Sequence, residues 1–348
     1  MSYTVENDDV DYNMYSAEYY KMLNTPLTFE ATEDGTIIYF RQSSYAVTDG
    51  LDPRKVEVST DNGETWTEVT AAPAEDDVYG ATLAELDEGE KVLIRGRNEA
   101  YGFNDEENAG DVVENCNFYA DKPCYVYGNI MSLIGGDDFA RLRKVKEYAF
   151  ACFFMDYGGE LDWSWVLSKE GKELLLPATT LAEYCYYGMF QGCMGLTSAP
   201  ELPATTLADS CYSSMFNSCT GMTSAPELPA MTLASYCYEN MFNNCTNLTS
   251  APELPATTLV DNCYNSMFNG CTGLTSAPEL PATTLAGYCY VAMFQGCTNL
   301  SHIKAMFTTT PGTSYTRNWV QGVKGTGTFV KNSEATWNVT GNNGVPSG

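Results

Sequence analysis

The stretch LTSAPELPATTLADSCYSSMFNSCTG, residues 196–221, decides the architecture, because it recurs almost unchanged every 26 residues. Cysteines mark the period twice. One series is Cys185, Cys211, Cys237, Cys263 and Cys289, and the other is Cys193, Cys219, Cys245, Cys271 and Cys297. Five near-identical units run from Leu176 to Leu300, and such a period is the mark of stacked repeats. Degenerate copies flank them. Upstream, YAFACFF at 148–154 aligns with YCYYGMF at 184–190, an offset of 36, or one period plus a ten-residue insertion near Gly158 to Lys172. Downstream, Trp319 to Val323 follows Met293 to Cys297 by 26 residues, with Val323 in place of a cysteine. End repeats are expected to be atypical, since one of their faces has no neighbour.

Within a unit, LTSAPEL predicts a short strand, stopped by prolines such as Pro203 that lack a ladder donor. Leu207, Cys211, Met215 and Cys219 then recur at intervals of four, with Tyr212 and Phe216 one residue on. That stripe predicts a helix capped by Thr206 or Asp209. One strand and one short helix per 26 residues is the leucine-rich-repeat formula. Parallel strands about 4.8 Å apart would give a curved solenoid of seven rungs, spanning about 30 Å.

The units resemble the BspA-type leucine-rich repeats of bacterial surface proteins. The matching positions are Leu248-Thr249-Ser250-Ala251, Leu254-Pro255, Cys263, Met267-Phe268, Gly270-Cys271 and Leu274. The chain is also similar to repeat proteins of gut Bacteroides and their phages, through Asn115 to Phe118, Pro123 to Phe139 and Thr326 to Asn332. The resemblance implies adhesion or recognition at a bacterial cell surface, or in the extracellular space, or on a phage virion. The partner it implies is a host surface glycan or protein, or neighbouring virion or surface subunits.

Three side-chain columns follow from the period. The ten cysteines are expected to be buried core thiols, because small thiols pack well. Disulfides and zinc remain the alternatives. A bridge such as Cys211 to Cys219 would cross two helical turns, about 12 Å, which is too far. No CxxC occurs and His302 is the single histidine, so no metal site is expected. Cys116 and Cys124 are the pair most open to bridging. Tyr186, Tyr212, Tyr238, Tyr264 and Tyr290 form a column that either packs in the core or offers a stacking platform for sugars. Ser198, Glu201, Ser224, Glu227, Ser250, Glu253, Ser276 and Glu279 recur on the strand segments. These eight are the candidate ligand-binding residues, and a solvated acidic face is the plainer alternative.

Residues 25–123 read differently. Leu27–Glu30, Thr36–Phe40, Lys55–Ser59, Thr65–Val69, Lys91–Arg95 and Cys116–Tyr119 are expected strands, punctuated by Asp34-Gly35 and Asn62-Gly63. They predict an immunoglobulin-like sandwich. Ser59, Asp61, Gly63 and Trp66 fit the Asp-box pattern S-x-D-x-G-x-x-W, read as a structural hairpin. The expected fold is therefore an all-β immunoglobulin-like sandwich followed by an α/β leucine-rich-repeat solenoid with a short β cap. The expected divisions are an acidic, tyrosine-rich segment at 1–24, the sandwich at 25–123, the solenoid at 124–325 and a hairpin cap at 326–348. The first segment is expected to be a tail, or to order against a neighbouring subunit.

Charge narrows the partners. The chain of 348 residues has 45 acidic and 18 basic side chains, a net charge of -27. Residues 177–300 hold eight acids and no lysine or arginine. Nucleic acid and anionic lipid are repelled by such a field. No apolar run approaches about 18 residues, so no membrane insertion is expected. MSYTVENDDV has no basic n-region and no apolar h-region, so it does not read as a signal peptide. Gly135-Gly136 lacks the spacing and lysine of a phosphate loop, and Asp137-Asp138 is not placed across a cleft by anything in the sequence. The expectation is a non-enzymatic protein without a cofactor.

Overall fold

The computed structural model describes residues 17–42, 54–73, 80–97, 116–155 and 166–347. Among these the chain is β-rich, with few helices and no closed barrel. It opens on α1 (Ala17–Leu23), which with Asn24 is the part of the expected tail that lies within the described residues. Leu23 is buried, and its carbonyl accepts from the Asn129 side chain at 2.9 Å, so this end of the segment is docked.

Nine strands then build two sheets: β1 (Leu27–Ala31), β2 (Thr36–Gln42), β3 (Lys55–Ser59), β4 (Thr67–Thr70), β5 (Ala72–Pro73), β6 (Ala81–Leu86), β7 (Lys91–Arg95), β8 (Cys116–Ala120) and β9 (Cys124–Asn129). One sheet runs β9-β1-β7-β3-β4, antiparallel throughout. In the other, β2 pairs with β5, β6 and β8. Alternation turns Val92 and Ile94 of β7 inward, while Lys91, Leu93 and Arg95 are only half-buried. Phe29 of the first sheet meets Phe118 of the second edge-on at 5.4 Å, and Phe40 lies 5.0 Å from Phe118.

Between β3 and β4 the Asp-box residues close a tight turn. Asn62 and Gly63 both have positive φ, at 61° and 92°. Asp61 accepts the Thr65 N–H at 2.9 Å, and also the Thr65 and Ser59 hydroxyls. These bonds, the one from the Thr65 side chain foremost, hold its carboxyl well below the usual range. Trp66 donates to the Gly63 carbonyl and carries the Arg95 guanidinium over its ring at 4.1 Å.

The first sheet continues past residue 123, where sequence places a boundary. β9 pairs with β1, and β10 (Val166–Leu167) and β11 (Leu174–Leu175) add to β9 in parallel. Gly128 permits this junction. Its φ is +92°, and a Cβ there would collide with the Pro26 carbonyl. After β9 come α2 (Ser132–Gly135) and a 3-10 turn, Gly136–Arg141.

The repeats depart from expectation in their second half. No helix forms in residues 177–300. The segment from Ala182 to Cys193 is instead a ribbon of overlapping turns. Odd-numbered residues fold back three residues: Cys185, Met189 and Cys193 donate to Ala182, Tyr186 and Phe190. Even-numbered ones reach the next unit: Tyr186, Gly188, Phe190 and Gly192 donate to Cys211, Ser213, Met215 and Asn217, at 2.8–3.0 Å. Every fourth residue has positive φ, as Tyr184, Gly188 and Gly192, and then Ser210, Ser214 and Ser218. That is the third position of a turn of type II geometry. A helix fails here for two reasons. An α-helix would bond its N–H groups internally and leave none for the neighbouring unit. A spacing of strictly four also drifts about 40° per step around a helix, so Leu207 to Cys219 would smear over about 120°. A four-residue turn repeats without drift.

The strand half is sparser than expected. Within the repeats one true strand forms, β12 (Ser276–Leu280), pairing in parallel with β13 (His302–Ala305). Elsewhere the segments are joined by isolated bridges, such as Ser224 to Ser250. Where neighbouring segments both carry prolines, as at 200 and 203, 226 and 229, and 252 and 255, donors are missing on both sides and the ladder stays broken. β12, which contains Pro278, pairs with the proline-free β13. The expected C-terminal hairpin is also corrected. β14 (Thr328–Lys331) pairs in parallel with β13, His302 opposite Thr328, because 26 residues separate them and they occupy the same place in successive units. Trp337 then closes the end, stacked on Phe307 at 5.3 Å and donating to its carbonyl.

One core runs from the sheets into the repeats. Phe118 touches Phe153 at 5.3 Å, and the Phe150 and Phe154 rings continue into Tyr186 and Phe190. The upstream degenerate copy therefore stacks as sequence aligned it: Phe150 and Phe154 donate to Cys185 and Met189.

Candidate functional site

The three columns fall in different environments. Tyr186, Tyr212, Tyr238, Tyr264 and Tyr290 are buried and stack with centroids 5.8–6.0 Å apart. They are a core ladder and offer no platform to a ligand. A parallel ladder of Phe190, Phe216, Phe242, Phe268 and Phe294 has spacings of 5.5–5.8 Å.

The ten repeat cysteines are buried. The second series has a specific task. Cys193, Cys219, Cys245, Cys271 and Cys297 donate through sulfur at 2.9–3.0 Å to the carbonyls of Phe154, Phe190, Phe216, Phe242 and Phe268, one unit back. A thiol is small enough for the core and still offers a weak donor. Burial pushes Cys185, Cys245, Cys289 and Cys297 up from 9.0 to about 12. Cys124, in β9, is a free buried thiol, and the side chain of Cys116 lies outside those described. The folded protein should therefore resist a soluble aromatic disulfide reagent, while the unfolded, non-reduced chain should expose at least about ten reactive thiols. Fewer than about four would contradict the core-thiol assignment and favour a disulfide scaffold.

Ser198, Glu201, Ser224, Glu227, Ser250, Glu253, Ser276 and Glu279 are all exposed. The alternation is local: in the segment from Ser198 to Ala204, Leu202 and Ala204 turn inward while Ser198, Glu201 and Pro203 face out. Both rows extend past the expected residues. Ser276 is followed by His302 and Thr328, and Glu279 by Lys304, whose ammonium lies 2.8 Å from the Glu279 carboxylate. His302 is exposed within β13. Sequence reading missed Lys304 as a member, although its 25-residue offset from Glu279 was visible.

The other end of the rows meets the sheet. Ser198 and Glu201 line a cavity of about 130 Å³ together with Val126, Ser168, Lys172 and Glu173. Ser168 fastens this corner, accepting from the Thr197 and Ser198 N–H groups at 3.2 and 3.3 Å. Beside it, Lys169 pairs with Glu30 and sits over the Tyr125 ring at 5.1 Å, and Lys172 sits over Tyr127 at 5.5 Å. Burial opposes ionisation of Glu30, but hydrogen bonds from Lys169 and Tyr127 outweigh it and lower its carboxyl. Sequence reading missed this corner, because its residues come from four segments, around 30, 126, 170 and 199, brought together only by the fold.

Asp137, singled out as one of an acid pair, is held by Arg95 and Arg97 at 3.3 and 2.6 Å. Among the described residues no three His, Cys, Asp or Glu side chains are grouped to hold a metal ion, and no helix is long and apolar enough to cross a membrane. What the geometry offers is an extended row of hydroxyl and carboxylate groups, suited to hydrogen bonding with a partner that is itself extended. Comparison with family models, with curated proteins and with solved structures returned no match.

Proposed function

We propose that the protein is a non-enzymatic recognition module that binds an extended ligand, a glycan or a protein segment, along its repeats. In this reading the chain is an immunoglobulin-like sandwich followed by a repeat solenoid of BspA kind, with turns where that family's helices are expected. It acts on a bacterial cell surface, in the extracellular space or on a virion. The observation that carries the reading is the exposure, at equivalent places of successive units, of all eight Ser and Glu positions from Ser198 to Glu279. Like charges repeated on neighbouring rungs repel one another, so the glutamate row costs the fold stability wherever no cation offsets it, as Lys304 does for Glu279.

The test replaces Glu201, Glu227, Glu253 and Glu279 by glutamine, which leaves shape nearly intact and removes four charges. A glycan array and whole-cell binding with the purified chain identify a partner, and calorimetry then compares the two proteins. A ligand-facing row predicts a change in affinity of about tenfold or more. Unchanged affinity would assign the row to solvated surface. A second reading, a structural or decoration component of a virion or surface layer, draws on the continuous stacking of rungs. It predicts that the purified chain captures copies of itself or neighbouring subunits in place of a glycan.

A further inference from the structure

The turn ribbon carries another row, on a different limb of the repeat. At the first left-handed position of successive units stand Tyr184, Ser210, Tyr236, Asn262 and Tyr288, with φ between 52° and 58°. The remaining left-handed positions of these units hold Gly, Ser, Asn or Ala. A bulky ring in this backbone region is an outlier, because its Cβ crowds the following carbonyl. Burial does not compensate: Tyr236 is 42% exposed and Tyr288 47%. The residues between them are recessed, Ser210 at 5% and Asn262 at 9%. From Ser210 to Tyr288 the surface thus alternates a notch holding a small polar group with a projecting ring, while Tyr184, at the near end of the row, is half-buried with one face on Tyr148 and Tyr187 edge-on to it. Strain kept where the core gains little is a mark of function.

The spacing narrows the ligand. Tyr148 and Tyr184, on adjacent rungs, stack flat at 4.9 Å. The buried ladders of the same units step by 5.5–6.0 Å per rung, so tyrosines on every second rung stand about 10–12 Å apart. That is close to the length of one disaccharide unit in an extended β-1,4-linked chain. Tyrosine suits such a chain, since its ring face covers the C–H face of a sugar while its hydroxyl stays wet. The exposed carboxylates Glu183, Asp209 and Asp261 stand one residue before the row. Asp209 and Asp261 each accept a backbone N–H of the next unit through Oδ1, from Ser235 at 2.9 Å and Gly287 at 2.8 Å, and their second oxygens can accept from sugar hydroxyls. Burial, and after it the charges of Asp209 and Glu147, raise the Glu183 carboxyl above its ordinary value. With no lysine or arginine in residues 177–300, an anionic polysaccharide would be repelled.

We propose that Tyr184, Tyr236 and Tyr288 form a stacking platform for a neutral, extended β-1,4-linked polysaccharide. This rests on the reading of the chain as a recognition module but not on the Ser and Glu row. The test uses the full chain and cellohexaose, a neutral β-1,4-linked hexasaccharide, with maltohexaose as the curved α-linked control. Tyr184, Tyr236 and Tyr288 are replaced together by Asn, which accepts the left-handed conformation, so the urea midpoint should hold or rise. Calorimetry should show binding of cellohexaose and not of maltohexaose, and loss of about tenfold or more in affinity in the triple variant. The fourfold Glu→Gln variant should bind cellohexaose unchanged, which separates failure of this platform from failure of the other row. No heat with cellohexaose, equal affinity for maltohexaose, or a folded triple variant that binds as the parent does would overturn the proposal. Tyrosine-dependent binding of a peptide in place of cellohexaose would overturn it too. Should the triple variant fail to fold, Tyr236→Asn alone, with a measurable loss that Tyr236→Phe does not share, decides the matter in the same way.

Discussion

Raising the pH from 9 toward 12 should unfold this protein steeply. The cause is the thiol core. Cys185, Cys245, Cys289 and Cys297 are held in the folded state at about 12, against 9.0 for the ordinary thiol, because burial penalises the thiolate. Above pH 9 the unfolded chain releases protons that the folded chain keeps, so stability is complete below 9 and falls as pH rises through 12. Each such thiol contributes a loss of about 1 kcal/mol per pH unit, and the four together roughly 5. Total stabilities of about 5–15 kcal/mol would be exhausted within one to three units. The buried tyrosines add to the slope, since burial also raises Tyr212, Tyr238, Tyr264 and Tyr290 well above 10.0. Circular dichroism and thiolate absorbance followed together from pH 7 to 12 should move in one transition. Thiolate appearing below pH 10 with the fold intact would show that the thiols are not sealed in the core.

Replacing Phe242 by Ala should cost about 3–5 kcal/mol. The ring is fully buried and is sandwiched between Phe216 at 5.7 Å and Phe268 at 5.6 Å. Its loss opens a cavity at two unit interfaces at once, and stacked repeats draw their stability from such interfaces. The same change at Phe329 should cost less. That ring is only half-buried and meets Trp319 and Trp337 edge-on near the closing end of the stack. Urea melts of the two variants compare them directly. Equal losses would mean that the centre of the array is no better packed than its end.

Much of this was written in the period. Once residues 196–221 recur at a fixed interval, equivalent side chains must meet equivalent surroundings, and the Cys, Tyr and Phe columns follow as ladders. The degenerate copies at 148–154 and 319–323 were legible for the same reason, as were six of the nine strands of the two sheets. Misread was the stripe at Leu207, Cys211, Met215 and Cys219. Its strict interval of four, with Gly, Ser or Asn at positions such as 188, 192, 214 and 218, was the available sign of successive turns rather than a helix.

The sequence by itself therefore determined the unit, its buried cysteine columns and the exposed Ser and Glu rows, because these depend on local alternation repeated at a constant offset. Tertiary structure alone decided the rest. Half of the ribbon's N–H groups bond 25 residues ahead, and no window shorter than a unit reveals such partners. β9 joins the first sheet through β1, nearly 100 positions upstream. Which of two nearly adjacent tyrosine columns is buried also depends on that backbone. In the turn ribbon Tyr238 points into the ladder, while Tyr236, two residues earlier and held at positive φ, projects into solvent.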